Sequence, residues 1–287
     1  MPPVHHCRID VDGVDIFYRE AGPADAPVLL LPHGYPASSF VYRNLMPALA
    51  NRWRTLAPDF PGWGHSATPA DFAHDFDGYA AFLARFLDRL SVDRVAIWLH
   101  DFGSQIGLRF AIAHPDRIAA VIVQNGDIYE DTLGPNYEPL IEYWDDPTPE
   151  RKAALADAIT LEGYAHEFIG GTEGEVAARI PPDLWALHWS LTDSQRRSLY
   201  RDIIAGLREN RAWFPRYQSY LRQCRPPALI LWGPRDGFMP EAAGRAWLRD
   251  LPQAELHMFD DGGHWLLETH FEQVVPPIRD FLTHSLG

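Results

Sequence analysis

Short apolar runs and helix-period stripes alternate along most of this chain. Val28-Leu-Leu-Leu, Trp53–Ala57, Val95–Leu99, Ile118–Gln124, Ala228–Trp232 and Glu255–Phe259 are runs of strand length. Several are apolar throughout, the pattern of strands covered on both faces. Cys7–Val11 and Val14–Arg19 flank Asp12-Gly13, a hairpin signal. Phe76–Leu90 carries Tyr79, Phe82, Leu83, Phe86, Leu87 and Leu90 on one helical stripe. Ser38 or Ser39 is placed to cap a helix running through Tyr42, Leu45 and Leu49. Further helices are expected over Glu241–Arg249 and from Trp265 onward. This alternation predicts an α/β fold with a mostly parallel sheet and helices on both faces. From Tyr129 to about Arg222 no strand pattern occurs. Helical pieces rich in Trp and Tyr are separated there by Asp145-Asp-Pro-Thr-Pro, Gly170-Gly-Thr-Glu-Gly and Pro181-Pro182. The expected organisation is a core domain of residues 1–128 and 223–287, with a helical cap of residues 129–222 inserted between two of its strands.

Composition narrows the classes. With 287 residues, 46% hydrophobic and 22% charged, the chain has the makeup of a folded globular protein. A formal net charge of −14 argues against nucleic acid or an anionic membrane as partner. No apolar run is long enough to span a bilayer, and Met1-Pro-Pro-Val-His-His-Cys-Arg lacks the pattern of a signal peptide. The expectation is a soluble, cytoplasmic protein. Cys7 and Cys224 are the only cysteines, so neither a disulfide framework nor a Cys-based metal site is indicated. His5-His6-Cys7 reads as strand-edge surface. No metal and no cofactor are expected, and oligomeric state stays open, a homodimer included.

The chemistry concentrates around Val95-Ala-Ile-Trp-Leu-His-Asp-Phe-Gly-Ser-Gln-Ile-Gly. A buried strand ends in His100-Asp101-Phe102-Gly103, and a helix with Ile106, Phe110 and Ala113 on one face follows. Asp101 thus stands at the apex of a sharp strand-to-helix turn, facing the amide groups of a helix N-terminus. Two more titratable residues follow expected strands: Asp236 in Gly233-Pro-Arg-Asp and His264 in Asp261-Gly-Gly-His-Trp. Open α/β sheets place ligands at such strand ends. Taken singly, an Asp there is often a helix cap and a lone His a satisfied core residue. Together, in the order nucleophile, acid, base, they form a candidate triad. Asp127, in Gln124-Asn-Gly-Asp, competes with Asp236 for the acid. Asp236 is preferred for its Trp-Gly-x-x-Asp setting, and Asp127 is assigned to the entrance or to capping the first inserted helix. Asn44, Asp59 and His65 read as turn and loop residues, and Ser104 lacks the flanking glycines of a serine nucleophile.

These motifs resemble the α/β-hydrolase fold superfamily, over nearly the full chain. Within it they are similar to the branch with an aspartate nucleophile, the epoxide hydrolases and haloalkane dehalogenases. His33-Gly34-Tyr35-Pro36 matches the oxyanion motif of epoxide hydrolases, and His100-Asp101-Phe102-Gly103 matches their elbow. Asp59-Phe-Pro-Gly-Trp-Gly-His-Ser is similar to a loop shared across the branch. The resemblance implies an eight-stranded, mostly parallel sheet with a helical cap. It also implies Asp101 as nucleophile, His264 as base, Asp236 as acid, and the Tyr35 and Phe102 amides as oxyanion hole. A pocket near His33, Pro36, His100, Trp144, Trp189, Phe214 and Trp265 is expected. Cap tyrosines donate a proton in epoxide hydrolases. Tyr143, with Tyr137 as substitute, is the candidate for the first. Tyr217 or Tyr220 is the candidate for the second, because Phe214 stands where a Tyr is usual. Leu99, two positions before the nucleophile, stands where the family usually has a small residue.

A carboxylate nucleophile selects a chemistry. It attacks an sp³ carbon bearing a leaving group and forms an alkyl ester on the protein, which activated water then cleaves. The expected substrate is small and apolar, with water as co-substrate, and opening of epoxides to diols is the first reading. Dehalogenation is the alternative. It needs halide stabilisers, and Phe102 and Tyr35 occupy the positions where dehalogenases carry a Trp and an Asn; Trp144, Trp185 or Trp189 would have to serve. A ligand-binding protein with a decayed site, or a serine esterase, are readings of other classes.

Overall fold

In the computed structural model, which describes residues 2–286, eight strands form one sheet in the order β1-β2-β4-β3-β5-β6-β7-β8. They are β1 (His5–Val11), β2 (Val14–Ala21), β3 (Val28–Leu30), β4 (Arg54–Pro58), β5 (Val95–His100), β6 (Ile118–Gln124), β7 (Ala228–Trp232) and β8 (Glu255–Met258). β1 and β2 form the antiparallel hairpin expected around Asp12-Gly13, and β2 also runs antiparallel to β4. Every other pairing is parallel. The fold is therefore the α/β-hydrolase architecture that the resemblance implies.

The apolar runs are explained by two cores, one on each face. Val95, Ile97 and Leu99 of β5 and Val121 and Val123 of β6 enter the first. The alternate residues, Ala96, Trp98, Ala120 and Ile122, enter the second. This is the period-2 geometry of a strand buried from both sides. Helices α1 (Leu45–Leu49), α2 (Phe76–Arg89) and α3 (Phe102–Ala113) belong to the first half of the chain. α2 is capped by the Asp75 side chain, which accepts from the Gly78 N–H. Eight helices separate β6 from β7: α4 (Glu138–Asp145), α5 (Pro149–Asp157), α6 (Leu161–Ile169), α7 (Gly174–Ala177), α8 (Pro182–Ser190), α9 (Ser194–Ala205), α10 (Leu207–Arg211) and α11 (Phe214–Cys224). Among the described residues this segment contains no strand, and no helix is long and apolar enough to cross a membrane.

Two expected helices are divided. Ser38 caps only a 3₁₀ turn, Ser39–Tyr42, and α1 starts afresh at Leu45. The helix expected from Trp265 becomes α13 (Leu266–Thr269) and α14 (Phe271–Leu286), after α12 (Glu241–Ala246). The break falls at His270, whose Nε2 is 2.9 Å from Asp261 Oδ1.

Leu99 is accommodated by a glycine. A Cβ on Gly107 of α3 would lie 2.6 Å from Leu99 Cδ2 and 3.0 Å from Ile97 Cδ1. The bulky residue before the elbow is thus matched by a missing one on the helix that follows it. Gly107→Ala should lower the unfolding free energy by about 1–2 kcal/mol, overpacking outweighing the gain in helix propensity. In a Leu99→Ala background the same change should stabilise. Urea titrations of the four proteins give the sign reversal as a coupling energy.

Candidate active site

The parallel strands end on one edge, and the candidate residues collect there. β5 ends at His100, and Asp101 begins α3 with φ 50° and ψ −134°. That backbone region is costly for a non-glycine residue. The Asp101 N–H is held by the Asn125 carbonyl at 3.1 Å, just past the end of β6. The turn projects the carboxylate away from the sheet. Tyr35 N–H donates to Asp101 Oδ1 at 2.6 Å, and the Phe102 amide faces the same carboxylate. Gly34 makes the approach of the Tyr35 loop possible, since a Cβ there would fall 2.3 Å from Asp101 Oδ1.

His264 sits between two carboxylates. Its Nε2 is 3.5 Å from Asp101 Oδ2, and its Nδ1 is 2.6 Å from Asp236 Oδ2. Asp236 is fixed in turn by the Phe238 N–H and the Asn125 side-chain amide, each at 2.9 Å. Asn125 also exchanges two 2.9 Å bonds with the Gly233 backbone. One asparagine therefore ties the nucleophile's turn to the loop of the acid. In the sequence Asn125 carries no signal beyond its place in Gln124-Asn-Gly-Asp.

Charge follows from this geometry. Burial disfavours the ionised form of Asp101, but the hydrogen bond and charge of His264, the nearby His100 and the Phe102 amide outweigh it and hold its carboxyl below the usual range. Asp236 is likewise buried and likewise lowered, by the charge and hydrogen bond of His264 and by the Phe238 and Asn125 donors. For His264, burial pulls the imidazole down, yet the charges and hydrogen bonds of Asp236 and Asp101 raise it well above its ordinary value.

A cavity of about 70 Å³ opens beside the pair. Tyr35, Phe102, Tyr137, Leu140, Ile204, Leu207 and Phe238 wall it, and Asp101, His264 and Glu167 are its acidic and basic groups. Tyr137 precedes α4 and lies beside the Asp127 carboxylate. Burial, and then the Asp127 carboxylate, keep its phenol well above the ordinary range. Glu167, on α6, was absent from the sequence reading, because nothing in Ala165-His-Glu-Phe distinguishes it from surface charge.

The other expected pocket residues lie elsewhere. Tyr143 is half-buried but does not line the cavity. Tyr217 is fully buried, accepts from Arg109 Nε at 2.9 Å and donates to Asn210 Oδ1 at 2.7 Å, which commits its hydroxyl to fastening α11 to α3. Tyr220 and Phe214 are buried on the same helix, away from the cavity. His33 holds two loops together: its Nδ1 is 3.0 Å from Gly34 O, and Phe60 N–H donates to its Nε2 at 3.2 Å. Burial lowers its pKa, so the ring is neutral. Pro36 is buried behind Tyr35. His100 stacks behind His264, ring centroids 4.5 Å apart. Trp265 packs on both of these rings. Trp189 is one ring removed from the site, against Tyr164, and Trp144 packs on Tyr137. The large aromatics build the walls' support, and smaller apolar residues form the wall.

Asp127 neither caps a helix nor marks an entrance. It is buried, and Gln105 Nε2 donates to its Oδ1 at 2.9 Å. Burial raises its carboxyl to about 6. Ser104 is committed too, donating to the Asp101 carbonyl at 2.6 Å. Asp59, read as a loop residue, is fully buried and accepts from the Ser39 and His65 amides at 2.8 Å. Among the described residues no group of three His, Cys, Asp or Glu side chains is arranged to hold a metal ion.

Comparison with known proteins agrees with this architecture. The family described as alpha/beta hydrolase fold matches residues 27–271. An uncharacterized hydrolase of Saccharomyces cerevisiae is 33% identical over 275 residues, covering 93% of each chain. An epoxide hydrolase structure is similar with a TM-score of 0.76 at 20% identity, covering 98% of this chain and 99% of the other. A meta-cleavage product hydrolase of Pseudomonas fluorescens is similar with a TM-score of 0.77 at 18% identity, covering 97% of both. Two such different chemistries superpose equally well, so the shared scaffold does not choose between reactions.

The ion arrangement has a direct readout. The His264 imidazole should remain protonated through neutral pH, its titration midpoint lying above that of an ordinary histidine. Asp236→Asn removes the largest raising influence and leaves burial opposed by Asp101 alone, so the midpoint should fall. NMR titration of the ring resonances in both proteins checks this.

Proposed function

Because the chain belongs to the α/β-hydrolase fold family, we propose that it is a hydrolase that attacks an sp³ carbon with Asp101, forms a covalent alkyl ester and cleaves it with water. A small apolar epoxide is the substrate class that fits best. The observation that carries the reading is a carboxylate, in place of a hydroxyl, at the strained elbow, facing two backbone amides and a histidine.

Asp101 is kept ionised and is therefore ready to attack. Its Oδ2 lies toward His264 and its Oδ1 toward the Tyr35 amide. Alkylation removes one of the two negative charges flanking the imidazolium, so His264 releases its proton to solvent and becomes a base. It then deprotonates water, which attacks Cγ of Asp101. Negative charge develops on a carboxyl oxygen that the Tyr35 and Phe102 amides face, a preorganised oxyanion hole. Collapse of this intermediate expels the alkoxide, which takes the proton from His264. Asp236, clamped by Asn125 and Phe238, holds the imidazole in the tautomer that presents Nε2 to the reaction.

In the cap, Tyr137 takes the place first given to Tyr143 and Tyr217, as the phenol that hydrogen-bonds the ring oxygen. The walls favour an epoxide over a halide. No indole and no side-chain amide lines the cavity, and a departing halide would find no N–H donor among its side chains apart from His264. A serine esterase is disfavoured because the Ser104 hydroxyl is buried and engaged.

His264→Gln incubated with a panel of small epoxides should gain the mass of one substrate, located on Asp101. Asp101→Ala should gain none and should form no diol. Tyr137→Phe should slow alkylation roughly 100-fold, the size of one lost oxyanion donor, while Tyr143→Phe should leave it unchanged. Ligand retained without any adduct or diol would mean that the protein is a binding protein.

A further inference from the structure

Ring opening leaves an alkoxide that needs a proton, and this need rests on the epoxide reading above. We propose that Glu167 is the acid that supplies this proton, with Tyr137 orienting the oxygen. Glu167 is the one carboxyl of the helical cap that lines the cavity holding Asp101 and His264.

Its position is built rather than incidental. Trp265, the residue after His264, donates its indole N–H to the Glu167 carbonyl at 2.9 Å. The same indole packs on Phe168, the next residue of α6, with ring centroids 4.7 Å apart. Just beyond the helix, a Cβ on Gly171 would fall 1.7 Å from the Arg235 carbonyl, and one on Gly263 would fall 2.7 Å from the Gly170 carbonyl. The end of α6 is thus pressed against the loops that carry Asp236 and His264. No ion pair and no side-chain hydrogen bond to the Glu167 carboxyl is present among the described residues, so the group has no structural duty that would explain it.

Its chemistry suits a donor. Glu167 lies in the last turn of α6, where the helix carbonyl ends disfavour a negative charge. Burial, and the carboxylates of Asp101 and Asp236, raise its pKa to about 7, with His264 acting in the opposite sense. An acid near the working pH is the efficient one, whereas the Tyr137 phenol is held well above its ordinary range. The sign is clear: the raised group is protonated and able to donate below about 7, and it loses the proton as pH rises through that value.

The protons balance. When Asp101 attacks, the C–O bond of the ring breaks and the oxygen takes the proton of Glu167. The imidazolium of His264 then returns a proton to the Glu167 carboxylate through solvent. In the second half, water gives one proton to the neutral His264 and keeps the other on the new carboxyl oxygen of Asp101. His264 passes its proton to the leaving alkoxide. Asp101 is released as the acid, and its remaining proton restores the His264 imidazolium. The sum is epoxide plus water giving diol.

The test is single-turnover alkylation by 1,2-epoxybutane, read by intact mass, in His264→Gln and in His264→Gln/Glu167→Gln. The double variant should alkylate at least about 100-fold more slowly, the typical worth of general acid catalysis. Loss of the His264 charge moves the Glu167 pKa above about 7, so the rate in His264→Gln should fall as pH rises through this higher value, and this limb should vanish in the double variant. Asp101, Asp236, Asp127, Tyr35, Tyr137 and Tyr164 remain titratable around the site in both proteins, so loss of the limb assigns it to Glu167. Equal alkylation rates, or a limb that persists in the double variant, would overturn the proposal while leaving covalent catalysis standing. Absence of any adduct on His264→Gln would remove both. Should the double variant not fold, a rate in His264→Gln that stays flat from about pH 6 to 10 overturns the proposal, and a falling rate supports it.

Discussion

A buried imidazolium between two carboxylates is the interaction on which the rest of this structure depends. Three charges are withdrawn from water within a few ångströms, and burial opposes the charged form of each. Such a set persists only when every charge has partners and the remaining lone pairs have donors. Here the Tyr35, Phe102 and Phe238 amides and the Asn125 side chain supply them. The triple is also asymmetric in a useful way. Asp236 is fully engaged and fixed, while Asp101 is held by a longer 3.5 Å contact to the histidine and faces the cavity. Only the second carboxylate lines the cavity.

Holding that triple requires loops from four places in the chain to meet at one edge of a parallel sheet. The sheet does this by its direction: strands that run the same way deliver their following loops to the same end. Asn125 then fastens two of those loops to each other. Packing behind the elbow is equally specific, since Leu99 fills the space left by Gly107 and so sets how closely α3 lies on β5. A sharp, strained turn at Asp101 is affordable because strand, helix and Asn125 each hold one side of it.

The helical segment between β6 and β7 completes the site with a different logic. Its polar links to the core, such as Arg109 with Tyr217 and Asn210, hold it in place, and its cavity wall is mostly aliphatic and aromatic. The core supplies the Asp101 carboxylate and its histidine. The helical segment brings Tyr137 and Glu167 to the wall of a cavity of about 70 Å³.

The sequence by itself determined the strand ladder, because burial on both faces writes an unbroken apolar run such as Ile118–Gln124. It also determined the elbow, because a strand, a turn and a helix around Asp101 are local. Asp236 and His264 were legible as strand-end residues in a meaningful order. What only the tertiary structure decided is which cap side chains meet them. Tyr143 and Tyr217 have suitable chemistry but do not line the cavity, and Tyr217 is engaged by Arg109. Large aromatics such as Trp144, Trp189, Phe214 and Trp265 are pocket residues by composition but second-layer supports by packing. Glu167 looked like one more acidic residue on a helix. Its meaning came from the Trp265 indole and the press of α6 on the loops of Asp236 and His264, contacts across about 65 to 100 residues of chain that no local pattern encodes.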